Sequence, residues 1–155
     1  MTDPRPGPRT GGAGILRASW WGTAAFTVTA VAAVAASGPV RSAGFLVAVV
    51  LFFAGCGAFA AAYLRALGRS RREMVAVSNL FFLTGDTAPA PVKRILLGSL
   101  AVQVAVGLAT AIARPYTSLA AGTLVPVYGL GLCGLWASRH GSFEPRPPES
   151  ERAAT

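Results

Sequence analysis

The sequence predicts an all-α, polytopic membrane protein, with four transmembrane helices arranged as two hairpins and a short interfacial helix in the central cytoplasmic loop. Three observations predict it. Apolar residues make up 53% of the 155 positions and charged residues only 13%, with a mean hydropathy of +0.53, outside the range of soluble domains. Four stretches without charge reach or approach the roughly 20 residues that a helix needs to cross a hydrocarbon core. The basic residues behind the net charge of +8 gather at the ends of those stretches rather than along one face.

Residues 1–17 open with "MTDPRPGPRTGGAG", which combines Pro, Gly and charge with almost nothing to bury, and are predicted to be a disordered cytoplasmic tail. Residues 18–67 form the first hairpin, with spans at 18–37 and 43–64 joined by "SGPVRS". Helix is the open-chain solution in lipid, because each backbone N–H and C=O must find its partner within the segment. The end of the first span, "VAAVAASGP", carries the small-residue pattern of a signal-peptidase site at Ala33 and Ala35. The long Pro- and Gly-rich tail before it and the interfacial pair Trp20 and Trp21 favour a span that is retained.

The central loop, residues 68–94, places the apolar segment 74–84 between two basic clusters. That segment is about half the length needed to cross. On a helical wheel Met74, Ala76, Val77, Leu80, Phe81 and Leu83 share one half, with Ser78 and Asn79 opposite. The expectation is an interfacial helix with Leu80 and Phe81 against acyl chains, while Arg69, Arg71, Arg72, Lys93 and Arg94 touch the anionic membrane surface. Packing of the same face on the bundle or on a partner is the alternative. Gly85 would end the helix, and "DTAPAPVKR" would return extended to the third span.

Residues 95–138 form the second hairpin, with spans at 95–113 and 117–137 joined by "RPYT". Ala101, Ala105, Ala109 and Ala113 recur at spacing four, as do Ala54, Ala58 and Ala62, and both stripes are expected to pack on other helices. Gln103 is the most polar side chain at its depth; an interhelical hydrogen bond accounts for it, with a substrate or proton site as the functional alternative. Thr23, Thr27, Thr29, Thr110 and Thr123 can return their hydroxyls to carbonyls of the preceding turn. Pro126 predicts a kink that leaves the Gly122 carbonyl without its usual partner. "CGAFA" at 56–60 and "CGLWA" at 133–137 occupy comparable places in the two hairpins, through either duplication about an axis along the membrane normal or composition alone. Residues 139–155 repeat the Pro-rich, charged composition of a disordered cytoplasmic tail.

Orientation follows from charge. Twelve of the 14 basic residues lie in the tails, in the central loop or, as Arg65, just before that loop, and only Arg41 and Arg114 fall in the two short connections, which puts both termini and the central loop in the cytoplasm. The basic residues lack interleaved stacking aromatics, so no nucleic-acid partner is expected. None of the spans carries an acid or base of the kind proton-coupled transport uses. Cys56 and Cys133 form no C-x-x-C pair, and His140 has no second ligand at metal-binding spacing, so no cofactor or metal is expected.

The stretches "SNLFFLTGDTAPAPVKR" and "ARPYTSLAAGTLVPVYGLGLCGLWASRHG", with the overall composition, resemble the small, largely uncharacterised four-helix integral membrane proteins of actinobacteria. The resemblance covers roughly the second half of the chain and implies a polytopic fold in a bacterial cytoplasmic membrane, with no activity to carry over. In helix count and central basic loop, the layout also looks like the accessory subunit encoded beside bacterial ATP synthases, without a residue match. The function expected is therefore non-enzymatic, as an accessory, scaffold or assembly subunit working with the lipid bilayer and a larger complex or homo-oligomer. A small oligomeric transporter or channel lined by Gln103 and the threonines is the alternative. An enzyme using the loop groups Glu73, Asp86 and His140 comes third.

Overall fold

A computed structural model describes residues 11–36, 38–70, 73 and 76–143. The expectations for tail residues 1–10 and 144–155, for Arg71 and Arg72, and for Met74 and Val75 fall outside these residues; residues 13–17 and 139–140, expected in disordered tails, are instead helical and extend the first and last spans. Among the described residues the chain is helical, without strands: α1 (Ala13–Ala35), α2 (Pro39–Arg69), α3 (Val77–Phe81), α4 (Ala90–Ala113), a 3₁₀ segment (Ser118–Leu124) and α5 (Pro126–His140). Four helical units are long and apolar enough to cross a membrane, the fourth being the 3₁₀ segment and α5 together.

Local chemistry marks the boundaries. Gly38 adopts φ +69, open to glycine without a Cβ clash, and Pro39 supplies the first residue of α2, where its missing N–H costs nothing. Pro91 is absorbed into the first turn of α4 in the same way, so that helix begins at Ala90, five residues before the expected span. Pro126 opens α5 instead of kinking a continuous helix. The Gly122 carbonyl is not orphaned, because the Val125 N–H reaches it at 3.2 Å in the tighter 3₁₀ pattern. The break also supplies reach. The 15 residues of α5 span only about 22 Å at about 1.5 Å per residue, short of a core about 30 Å thick, and the seven 3₁₀ residues add about 14 Å.

The helices form a ring in the order α1, α2, α5, α4, with α1 also packed on α4. Rotation about a membrane-normal axis that carried α1 onto α4 and α2 onto α5 would require α1 and α4 to be diagonal. They are neighbours, so this packing does not support duplication of that kind. The tail end of the bundle, where residues 11 and 143 lie, holds the larger core, with Trp136, Leu132, Leu96, Phe81 and Leu83 packed together. The turn end, where the two short connections lie, has a smaller cluster of Phe26, Ala30, Ala48 and Val125. With 31 residues, α2 is about 46 Å long. It overshoots a hydrocarbon core, and α3 packs on α5 at the tail end.

Candidate functional site

Two sets of residues invite a functional reading, the polar seam inside the bundle and the basic, apolar tail end. The seam runs between α1 and α4. Ser19, Thr23 and Phe26 on α1 and Ser99, Gln103, Gly107 and Thr110 on α4 are buried at three- and four-residue spacing, so each set lines one helix face. Ser19 and Ser99 are joined through their hydroxyls, and Ser99 also donates to the Leu96 carbonyl at 2.9 Å. Gln103 is fully buried. Its Nε2 donates to Thr23 Oγ1 at 2.7 Å, and its Oε1 accepts the Gly129 N–H at 3.2 Å. That N–H belongs to the first turn of α5, where the chain has just left the 3₁₀ segment, so Gln103 fastens three elements around the break. The interhelical-bond expectation for Gln103 is met. Thr23 departs from its expected role by accepting this bond, whereas Thr27, Thr29, Thr110 and Thr123 donate to preceding carbonyls as expected.

The alanine stripe is not this chain's own packing face. Ala101, Ala105 and Ala109 are exposed, and the inward face of α4 is the one carrying Ser99, Gln103 and Gly107. Equal spacing gives both faces the same signature, and the polar residues mark the inner one. On α2 the second stripe turns gradually inward, from exposed Ala54 through half-buried Ala58 to buried Ala62.

At the tail end the central loop differs from its expected form. The helix there has five residues, Val77–Phe81, and stops well before Gly85 because Phe82 leaves the helical region and Leu83 turns left-handed at φ +53. Burial of Leu83 in the core holds that conformation. Leu80 and Phe81, expected against lipid, are buried, with Phe81 4% exposed and its ring stacked on Phe59 at 4.2 Å. Gly134 leaves the room for that ring, since a Cβ there would sit 2.5 Å from it. Van der Waals contact with α2 and α5 therefore replaces the expected lipid contact. Val77 and Phe82 remain exposed. An open recess of about 210 Å³ lies between α2 and α3, lined by Tyr63, Ala66, Leu67, Ser70, Val77 and Leu80.

The basic residues divide into tied and free. Arg69, expected at the membrane surface, instead joins α2 to α5. It donates to the Ser138 carbonyl at 3.1 Å and the Gly141 carbonyl at 3.3 Å, pairs with Glu73 at 2.8 Å and lies 5.0 Å over the Phe143 ring. A cation at the C-terminus of a helix satisfies its last carbonyls and its dipole. Lys93 donates to the Gly85 carbonyl and fastens the loop to α4. Arg94 is exposed. At the turn end Arg41 donates to the Ala36 carbonyl at 3.3 Å and Arg114 to the Val34 carbonyl at 3.1 Å, so both cap α1.

Two further contacts escaped the sequence reading. Tyr128 donates its hydroxyl to the Ala18 carbonyl at 2.7 Å, and Trp136 donates Nε1 to the Gly11 carbonyl at 2.9 Å. Both join residues more than 100 positions apart, and the only local signal was the presence of a polar tip on a buried aromatic. Glu73 is engaged by Arg69, and His140 lies against Trp136 with ring centroids 5.7 Å apart. Among the described residues, no three His, Cys, Asp or Glu side chains group as metal ligands would. Compared with protein-family models, curated proteins and solved structures, the chain matches none of them.

Proposed function

We propose that this chain is a non-enzymatic, multi-pass protein of the bacterial cytoplasmic membrane, acting as an accessory, scaffold or assembly subunit of a larger membrane complex. Its spans form two hairpins with both termini in the cytoplasm, and Val77 and Phe82 of the α3 region rest at the headgroup level. The observation that carries the reading is Gln103. It is the most polar side chain within the spans, and both ends of its amide are taken up by Thr23 and Gly129. The void nearest the turn end of this seam, lined by Phe26, Ala33 and Leu119 among others, has room for about 10 Å³, no more than a single water. Outward on α4, Gly98, Ala101, Ala105 and Ala109 form a stripe of small residues flanked by the exposed Val102 and Leu108, and along it another helix's backbone can approach closely.

Extraction in a mild detergent followed by copurification tests the proposal. A larger membrane partner in fixed ratio is the expected result, and a homo-oligomer without other proteins would replace it with the transporter or channel reading. Orientation is tested by reporter fusions. Those after Ser37 and Pro115 are expected to report outside, and those after Thr87 and at the carboxyl end inside. A cytoplasmic signal after Pro115 would overturn the topology.

A further inference from the structure

We propose that Arg17, Arg65, Arg94 and Arg139 form a girdle that binds the phosphates of anionic phospholipids. Each stands at the tail end of a different long helix, α1, α2, α4 and α5 in turn, and all four are exposed. None has a hydrogen-bond or ion-pair partner among the described residues, which sets them apart from Arg69, Lys93, Arg41 and Arg114, all engaged by carbonyls of the chain. An exposed guanidinium offers a fork of donors matched to a phosphate, and four of them around one end make a strongly positive rim.

Depth supports the same assignment. The contact of Gln103 with Thr23 and Gly129 sets a common level for α1, α4 and α5, and the contact of Gly55 with Tyr128 sets nearly the same level on α2. From there Arg94, Arg139 and Arg65 are nine or ten residues away, or about 14 to 15 Å at about 1.5 Å per residue. Half of a hydrocarbon core is about 15 Å. Arg114 lies eleven residues from Gln103 in the other direction, about 16 Å, so the Gln103 level falls at the midplane and the three arginines at the edge of the hydrocarbon core, from which their long side chains reach the phosphates. Arg17, six residues from Thr23, starts about 9 Å from that level, and its long side chain extends toward the surface with its stem against lipid. The two exposed tryptophans beside it, Trp20 and Trp21, suit the boundary it would cross. Asp86, exposed on the loop before α4, is the carboxylate at this end without a partner among the described residues.

The test uses the full-length protein in mild detergent, with native mass spectrometry reading bound phosphatidylglycerol against phosphatidylcholine. A basic residue near a charged leaflet strengthens attachment by about fivefold. The wild type is expected to retain phosphatidylglycerol preferentially, and less so as salt rises. Two double variants, Arg65→Gln with Arg139→Gln and Arg17→Gln with Arg94→Gln, are each expected to weaken that preference, while Arg41→Gln with Arg114→Gln leaves it unchanged. Circular dichroism checks that each variant is folded; for a variant that is not, the matching Arg→Lys pair is measured and must keep the preference. Equal retention of the two lipids by the wild type, undiminished preference in both girdle variants, or loss of preference in the turn-end control would overturn the proposal.

Discussion

Along α2 and α5 the helices are held together by missing side chains, whereas along α1 and α4 they are held by hydrogen bonds between side chains. A Cβ on Gly55 would lie 2.5 Å from the Tyr128 nitrogen, and one on Gly131 would lie 2.5 Å from the Gly55 carbonyl oxygen, so backbone meets backbone with no room between. Across the bundle Ser19 meets Ser99 and Thr23 meets Gln103. Lipid tails are as apolar as leucine, so burying apolar surface does little to join helices in a bilayer. Close packing and interhelical hydrogen bonds remain; the first dominates the α2–α5 seam, which adds the Arg69 bonds at its tail end, and the second dominates the α1–α4 seam. The difference teaches where tolerance lies. Backbone cannot move aside for an added methyl, whereas a serine or threonine that loses its partner can bond back to its own helix.

The comparison is broken most severely at Gly55. Gly55→Val places branched carbon against the Tyr128 backbone and forces α2 away from α5, which is expected to destabilise the protein by about 3 kcal/mol or more. Titration of the purified protein with a denaturing detergent, followed by circular dichroism, measures it. A loss no larger than that of the polar-seam variants below would show that the glycine seam is not the rigid one.

Arg69 belongs to the same seam and comes next. Arg69→Ala removes the donors that end α5 and the stacking on Phe143, while its ion pair with Glu73, partly in solvent, contributes little. The expected cost is about 1.5 kcal/mol, confined to the last turn of α5. Hydrogen exchange should therefore accelerate at residues 139–142 and stay unchanged near Gln103. Acceleration throughout α5 would contradict a local cap.

How far such roles were legible depends on how local their cause is. The four spans follow from runs of composition, and Gln103 stood out because one amide among apolar neighbours demands a partner. Which face of α4 turns inward was not legible from its alanines, since in lipid the inner and outer faces can be equally apolar. Ser99 and Gly107, one helical turn either side of Gln103, and Thr110, two turns on, held that information instead. The wheel over 74–84 correctly grouped Leu80 with Phe81, but a wheel does not say what covers the apolar face, and here α2 and α5 do. The sequence points Arg69 to the surface because its partners, Ser138 and Gly141, lie about 70 residues away and meet it only after the bundle has closed.

Gln103→Leu sharpens the polar side of the comparison. It removes both bonds of the amide and leaves the Gly129 N–H to find another acceptor at the helix break. Interhelical bonds of this kind average about 0.6 kcal/mol, and about 1.2 kcal/mol is expected because two are lost. A cycle with Thr23→Val isolates the Gln103–Thr23 bond, with an expected coupling of about 0.6 kcal/mol. Zero coupling would mean that the stabilisation comes from Gly129 alone.

The smallest effect is expected at Ser19. Because the Ser99 hydroxyl is already committed to the Leu96 carbonyl, Ser19 must be the donor in the bond between the two serines. Ser19→Ala therefore deletes one donor, leaves Ser99 satisfied, and makes the contact between α1 and α4 smaller without stranding a polar group. The cost should fall below the membrane average of about 0.6 kcal/mol. Ser99→Ala reverses the arrangement, since it leaves the buried Ser19 hydroxyl to turn back toward a carbonyl of its own helix. It should cost more than Ser19→Ala by the strain of that turn, and the two variants compared in the same detergent titration decide the direction of the bond. If Ser19→Ala proves the more costly, the donor assignment is wrong and the polar seam is less forgiving than the glycine seam it was set against.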